Sequence, residues 1–178
     1  KLIPLQFKGY KKIKDKISNS YLKSIINNEN MNFVYTLSKL LNISNKSFIK
    51  SMNTFEGLAH RYENFLQKKN VKIINDSKAT SFESSKFALA SSKNIYWILG
   101  GLPKYKDKIN LKNLKKNIVK SYIIGKNTNY FSKQLKGKVN FSNTKNLSTT
   151  IIKVLKDIRL FNKIDNTVLL SPSAASFD

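Results

Sequence analysis

Three short segments carry the residues best suited to chemistry. In Val71-Lys72-Ile73-Ile74-Asn75-Asp76-Ser77-Lys78-Ala79-Thr80, an apolar run stops and an acid, two hydroxyls and an ammonium follow. A buried strand delivers functional groups to the carboxyl edge of a sheet in this way. Gly57-Leu58-Ala59-His60-Arg61-Tyr62-Glu63 adds the sole His, an Arg and a Glu. Leu169-Leu170-Ser171-Pro172-Ser173-Ala174-Ala175-Ser176-Phe177-Asp178 adds three hydroxyls. Gly100-Gly101, with Lys104 close behind, and Gly125 mark two further strand ends. Hydroxyl donors and ammonium groups converging on one cleft suit carboxylates or phosphates. Each feature also has a structural reading. Asp76 and Ser77 could cap a helix, Gly100-Gly101 could form a turn, and Ser171-Pro172-Ser173 could start a helix.

Other chemistries lack their residues. A single His and no Cys exclude a self-contained multi-His site and any thiolate metal site. No GxxxxGK[ST] phosphate loop occurs, nor a Ser-His-Asp order or a Glu-x-x-His signature. Alone, the chain lacks the means to hold ATP phosphates with Mg²⁺.

The elements that must position these groups follow from apolar spacing. Helices are predicted over 30–41, with Phe33, Val34, Leu37, Leu40 and Leu41 on one face, and over 45–54, with Phe48, Ile49 and Met52. A short strand is expected over the stretch of Leu2, Ile3, Leu5 and Phe7 in the Lys-rich segment 1–25. After Gly57 the rhythm changes. Strands at 71–74, 95–99, 121–124, 139–141 and 168–170 alternate with helices at 83–91, 111–118, 129–135 and 147–155. Alternation predicts βαβ units: an α/β, Rossmann-like, mainly parallel sheet flanked by helices, with ligands at the strands' carboxyl ends. The chain divides near Gly57 into a helical part and an α/β domain.

The 178 residues suffice for one sizeable domain, or one domain and part of another. Hydrophobic content of 40% supports a core, and no apolar run is long enough for a transmembrane span. The chain begins Lys1-Leu2-Ile3-Pro4 and ends directly after a motif, as a piece of a longer protein would. A net charge of +23 invites a nucleic-acid reading. Yet Arg occurs only at Arg61 and Arg159, and the Lys residues spread through every segment. Specific nucleic-acid surfaces favour the Arg fork. A stand-alone dinucleotide-binding domain is a further alternative, but the first strand is not followed by GxGxxG.

Residues 57–63, 74–80, 95–101 with Lys104, and 168–178 together resemble the Mur ligases, within them the D-glutamate-adding branch. The resemblance covers about residues 26–178 in order and spacing. It implies that 1–56 is the tail of a central ATPase domain. It implies equally that 57–178 is a carboxyl-terminal D-glutamate-binding domain, truncated at its end. The implied activity is ATP-dependent addition of D-glutamate to UDP-N-acetylmuramoyl-L-alanine through an acyl phosphate, in cytoplasmic peptidoglycan precursor synthesis. By the same resemblance the protein is a monomer with no specific nucleic-acid partner. Its Mg²⁺ ligands lie in central-domain residues outside this chain, and the piece alone is inactive.

The resemblance also assigns residues. Asn27 and Asn30 match adenine contacts, with Ile26 standing where the family usually has His. Arg61 lies near the ATP phosphates, with His60 its neighbour at the nucleotide site. Asp76 accepts from the ribose. Lys78 sits near the reacting groups, so that His60 and Lys78 are the candidate catalytic residues. Thr80, Lys104 and Ser176 hold the D-glutamate carboxylates, and Phe177 packs beside them. Pro172-Ser173-Ala174-Ala175-Ser176 stands for the family's Pro-Ala-Cys-Ala-Ser.

Overall fold

The structure is a computed structural model that describes residues 7–23 and 27–175. It forms two compact units, Lys1–Gly57 and Leu58–Asp178.

The first unit is helical: α1 (Phe7–Lys11), a 3₁₀ turn at Lys14–Lys16, α2 (Ser20–Lys23), α3 (Asn28–Leu40) and α4 (Asn45–Asn53). Tyr10, Ile13 and Ile17 recur at spacings of three and four and bury against Met31, Tyr35 and Phe48. The short strand expected over residues 2–7 lies outside the described residues except for Phe7, which opens α1. Ser44 caps α4 by accepting from the Ser47 amide. Phe48 is buried, and Ile49 and Met52 pack beside it, as their spacing predicts. In α3 the expected apolar stripe faces outward: Phe33, Val34, Leu37, Leu40 and Leu41 are all exposed.

The second unit holds a six-stranded sheet in the order β1-β2-β6-β3-β4-β5. The strands are β1 (Glu63–Lys68), β2 (Val71–Asn75), β3 (Ile95–Gly100), β4 (Ile118–Ile124), β5 (Phe141–Asn143) and β6 (Asn166–Leu170). All pairings are parallel except the β1–β2 hairpin. Helices α5 (Phe82–Ser91) and α6 (Thr128–Leu135) cover one face, and α7 (Leu147–Phe161) covers the other. Alternation within β3 shows the two layers directly. Ile95, Trp97 and Leu99 join the α5–α6 core, while Tyr96 and Ile98 join the α7 core. A strand covered on both faces reads as an unbroken apolar run.

Two departures from the sequence reading concern this sheet. The β1 edge strand was not expected, and the helix predicted over 111–118 is an irregular crossing with a 3₁₀ turn at Lys115–Asn117. Its Leu111 plugs the core and its Ile118 opens β4, so helical spacing serves two different elements. Helix starts are set by Ser81 and Asn146, which accept from the Ser84 and Thr149 amides. Asn162, in the left-handed region, ends α7. Asp157 pins α7 to β4 by accepting from Lys120 Nζ and Tyr122 Oη, each at 2.7 Å.

Candidate functional site

The strand β2 ends at Asn75, and the next five residues turn across the carboxyl edge of the sheet. Asp76 is buried. Its Oδ1 accepts from the Tyr62 amide at 3.0 Å and its Oδ2 from Ser171 Oγ at 2.8 Å. Burial pushes its carboxyl above the usual carboxylate range, against the downward pull of both hydrogen bonds and the Arg61 charge. Ser85 Oγ lies 2.7 Å from both Ser171 Oγ and Ser173 Oγ, so a buried hydroxyl cluster joins the ends of β2 and β6 to α5. The helix-cap and helix-start readings do not hold, since Ser81 caps α5 and residues 171–175 form no helix; Asp76 and Ser171 belong instead to this buried network. Each carboxylate oxygen keeps a second acceptor site, so one polar contact does not exhaust it.

The segment from His60 to Glu63 wraps this strand end. His60 and Tyr62 have φ of 65° and 48°, left-handed values that kink the chain on either side of Arg61. The His60 amide donates to Glu63 Oε2 at 2.9 Å, and its carbonyl accepts from the Lys78 amide at 3.0 Å. Its Nδ1 lies 2.9 Å from Asn75 Nδ2. With Asn75 donating, that nitrogen is the acceptor and the proton sits on Nε2. Arg61 and Lys78 are exposed at the same edge.

Backbone bonds tie the segments that carry Thr80 and Lys104 to residues 173–175. The Ser173 amide donates to the Ala79 carbonyl at 3.0 Å, placing the 171–175 loop against the residue before Thr80. Leu102 and Ala175 exchange two amide–carbonyl bonds, at 2.7 and 3.0 Å, which draws the Lys104 loop to the same place. The two glycines before Leu102 make this approach possible. A Cβ on Gly100 would stand 2.1 Å from the Ile124 carbonyl oxygen, and one on Gly101 2.4 Å from that of Ala175. Asp107 Oδ2 then anchors the loop by accepting from the Phe82 amide at 2.8 Å. Trp97 Nε1 donates to the Ser171 carbonyl at 2.8 Å from below. Thr80 is half-buried and Lys104 exposed. Ser176 and Phe177 lie outside the described residues.

Beside these groups a cleft of about 580 Å³ opens between the strand ends, lined by Ser77, Gly100, Gly101, Gly125 and Pro172. That volume is in the range of small-molecule sites. The ends of β2, β3, β4 and β6 thus meet at one crevice, where β6 lies between β2 and β3. Lys78, Thr80 and Lys104 do not line it. Lys126, Lys145 and Asn146 do, although the sequence reading passed over them. Lys126 could have been noticed as the residue after a strand-ending glycine; Lys145 and Asn146 depend on where α7 begins.

In the first unit Asn27 is buried and donates from Nδ2 to the Tyr21 carbonyl at 2.8 Å. Asn30 is exposed on the first turn of α3. Among the described residues no group of three or more His, Cys, Asp or Glu could hold a metal ion. No helix among them is long and apolar enough to cross a membrane.

No family model matches the chain. It is 36% identical over 161 residues to a UDP-N-acetylmuramoylalanine–D-glutamate ligase of Wolbachia sp. subsp. Brugia malayi, covering 90% of this chain and 32% of that protein. It is 31% identical over 160 residues to the protein of that name from Rickettsia felis, covering 90% and 36%. The chain therefore spans about a third of the length of the curated relatives it matches. The fold is similar to that of MurF ligase from Thermotoga maritima in complex with ADP. The TM-score is 0.58 at 14% identity, over 83% of this chain and 35% of that one. A bifunctional folylpolyglutamate synthase/dihydrofolate synthase from Yersinia pestis CO92 gives 0.58 at 14%, over 84% and 36%. Relatedness along nine-tenths of its length, on a fold that these ligases share, makes this chain a member of the Mur ligase family.

Proposed function

We propose that this chain supplies the D-glutamate-receiving part of an ATP-dependent ligase. That ligase joins D-glutamate to UDP-N-acetylmuramoyl-L-alanine in cytoplasmic peptidoglycan precursor synthesis. One observation carries the reading beyond the relatives' names. The backbone bonds from Ser173 to Ala79 and between Leu102 and Ala175 tie the segments of Thr80 and Lys104 to the 173–175 stretch that precedes Ser176.

On this reading residues 1–56 belong to the tail of the ATP-binding domain, and 57–178 form the amino-acid-binding domain. The Lys104 ammonium and the hydroxyls of Thr80 and Ser176 hold the two carboxylates of D-glutamate, with Phe177 packed beside them. Held in this way, the amine faces an acyl phosphate formed on the nucleotide-linked alanine, for which ATP supplies the phosphoryl group. The nitrogen bonds to the carbonyl carbon, phosphate leaves with the electrons of the C–O bond, and the amine gives up a proton. Lys78 stabilises the negative charge that develops on oxygen, with His60 at the nucleotide side. Arg61 serves the ATP phosphates, Asp76 the ribose, and Asn27 and Asn30 the adenine. Mg²⁺ would be held by central-domain residues outside this chain, and no step here runs through it; among the described residues no group of three or more His, Cys, Asp or Glu could hold a metal ion. The chain acts as part of a monomer and does not turn over by itself, since it lacks a GxxxxGK[ST] loop.

Protection of Lys104 tests the reading. Acylation of lysines by an amine reagent is followed residue by residue, with D-glutamate or L-glutamate added. D-glutamate should slow modification at Lys104 saturably and leave Lys39 unaffected. Equal protection by both enantiomers, or none, would refute the carboxylate role.

A further inference from the structure

The amino edge of the sheet, opposite the cleft, carries a feature that the proposed site does not use. Helix α7 buries Thr150, Val154, Asp157 and Ile158. Its last two turns present hydrocarbon and positive charge together on the outer side. Leu155, Lys156, Arg159 and Leu160 stand there at helical spacing, all exposed. Asp157, the one acid of the helix, is turned inward and tied to Lys120. The helix ends at Asn162, and the residues that follow are clamped from two sides. Asn70 donates from Nδ2 to the Lys163 carbonyl at 3.1 Å and accepts at Oδ1 from the Asp165 amide at 2.8 Å. Asn94 donates to the Ile164 carbonyl at 2.7 Å. With its backbone held in this way, Ile164 is still 77% exposed, as is Leu160 at 76% one helical turn earlier. The loop is a built projection that holds aliphatic side chains in water.

The charge around that projection is one-sided. Lysines occur at both edges of the sheet, but the acids gather at the carboxyl edge. Glu63 pairs with Asn75, Glu83 lies in the first turn of α5, and Asp107 accepts from the Phe82 amide. At the amino corner Lys69 and Lys93 precede the two clamping asparagines, and both are exposed. With Lys156, Arg159 and Lys163 they are opposed, among the described residues, only by Asp165. The corner also lies away from where the unit is entered and left: Tyr62 bonds to Asp76, and Ala175 pairs with Leu102, both at the carboxyl edge. A polyanion such as nucleic acid would satisfy the cations but leave Leu160 and Ile164 facing phosphate. A bilayer satisfies both kinds of group. Anionic headgroups meet the ammonium and guanidinium groups, whose methylene stems lie along the interface, and the aliphatic tips enter the acyl boundary. We propose that this corner docks the protein peripherally on an anionic lipid bilayer, with Leu160 and Ile164 inserted and Lys69, Lys93, Lys156, Arg159 and Lys163 on the headgroups. It uses no residue of the cleft and does not depend on the ligase reading.

Flotation of this chain with lipid vesicles tests the proposal. The chain should bind vesicles of equal parts phosphatidylglycerol and phosphatidylcholine, less tightly as salt rises, and should not bind pure phosphatidylcholine. Leu160→Ser with Ile164→Ser should weaken binding at least about ten-fold. Arg159→Gln with Lys163→Gln should weaken it about thirty-fold, as two basic groups near an anionic surface contribute. Lys46→Gln with Lys50→Gln removes the same charge from exposed sites on α4 and should change it less than about two-fold. Ile164→Trp should shift its emission to the blue on the anionic vesicles and be quenched by brominated acyl chains. Absence of binding, or equal binding to pure phosphatidylcholine, overturns the proposal. So does equal weakening by the α4 pair, which would reduce the effect to net charge. An unshifted Ile164→Trp emission, or indifference to the serine pair, overturns the insertion on which the proposal stands. Vesicles left unbound while a duplex DNA probe is held, and released by Arg159→Gln with Lys163→Gln, would assign the corner to nucleic acid instead. A homodimer that the serine pair dissolves, with no vesicle binding, would assign it to a second copy.

Discussion

Helix α3 and strand β3 are both apolar elements near the middle of their units, yet they meet solvent in opposite ways. Every residue of β3 is buried. In α3 the five large aliphatic and aromatic side chains at 33, 34, 37, 40 and 41 face out, while Asn32, Thr36 and Ser38 are buried. The difference teaches where each element's partners lie. β3 has a strand on each side and helices on both faces, all within 58–178. Among the described residues of the first unit, α3 finds partners for one face only. Among the described residues, the α/β unit covers its central strand on both faces, and the helical unit leaves one apolar helix face in water.

Three substitutions probe that contrast. Trp97→Ala should have the largest effect. It removes the largest fully buried side chain and the bond to the Ser171 carbonyl, and should cost about 3–5 kcal/mol in urea unfolding of the sheet. A loss below about 1 kcal/mol would show that the β3 layer is not the closed core described.

Asp157→Asn should come next, at about 1–3 kcal/mol near neutral pH, because Lys120 and Tyr122 both lose a charged acceptor. Burial pushes the Asp157 carboxyl up, but the bonds from Lys120 and Tyr122 and the nearby lysine charges outweigh it and hold it below the ordinary range. Its stabilising contribution is therefore full above the unfolded carboxyl value and is lost as pH falls through the folded one. The variant should lack that part of the acid-side decline. Asp76 behaves oppositely. Its raised carboxyl favours the fold at low pH, and that contribution is lost as pH rises through the folded value. An unchanged acid limb in Asp157→Asn would place the coupling elsewhere.

Leu37→Lys should have the smallest effect on the isolated chain, within about 0.5 kcal/mol by thermal or urea melts, because the side chain is already in water. A large loss would mean that α3 is packed on both faces after all.

The parts of the fold that could be read from sequence are those whose local pattern and tertiary role agree. The runs predicted as strands at 71–74 and 95–99 are strands, and the apolar spacing of Phe48, Ile49 and Met52 marks a helix. Glu63–Lys68 escaped because an edge strand with five of six residues exposed has no apolar alternation to display. The stretch 111–118 misled because Leu111, Leu114 and Ile118 keep helical spacing while filling separate gaps in the core. The α3 stripe was legible as a stripe, but periodicity cannot say which face meets the rest of the chain. At the site, the polar groups after β2 and the Gly100-Gly101 pair announced themselves by type. Lys126 was signalled only by the strand-ending glycine before it, and Lys145 not at all, since only the placement of the β5–α7 connection brings it to the cleft.

The place of β6 has a consequence for how the chain is made. This strand, the last of the six in sequence, fills the slot between β2 and β3. During synthesis β1 and β2 can pair as a hairpin, and β3, β4 and β5 can assemble beside one another, but no strand pairing joins the two halves without β6. The sheet closes only when residues 166–170 have left the ribosome and reached back across almost a hundred residues to β2. Until then both halves expose unpaired edges, and a nascent chain stopped before Asn166 is two unfinished sheets on one thread.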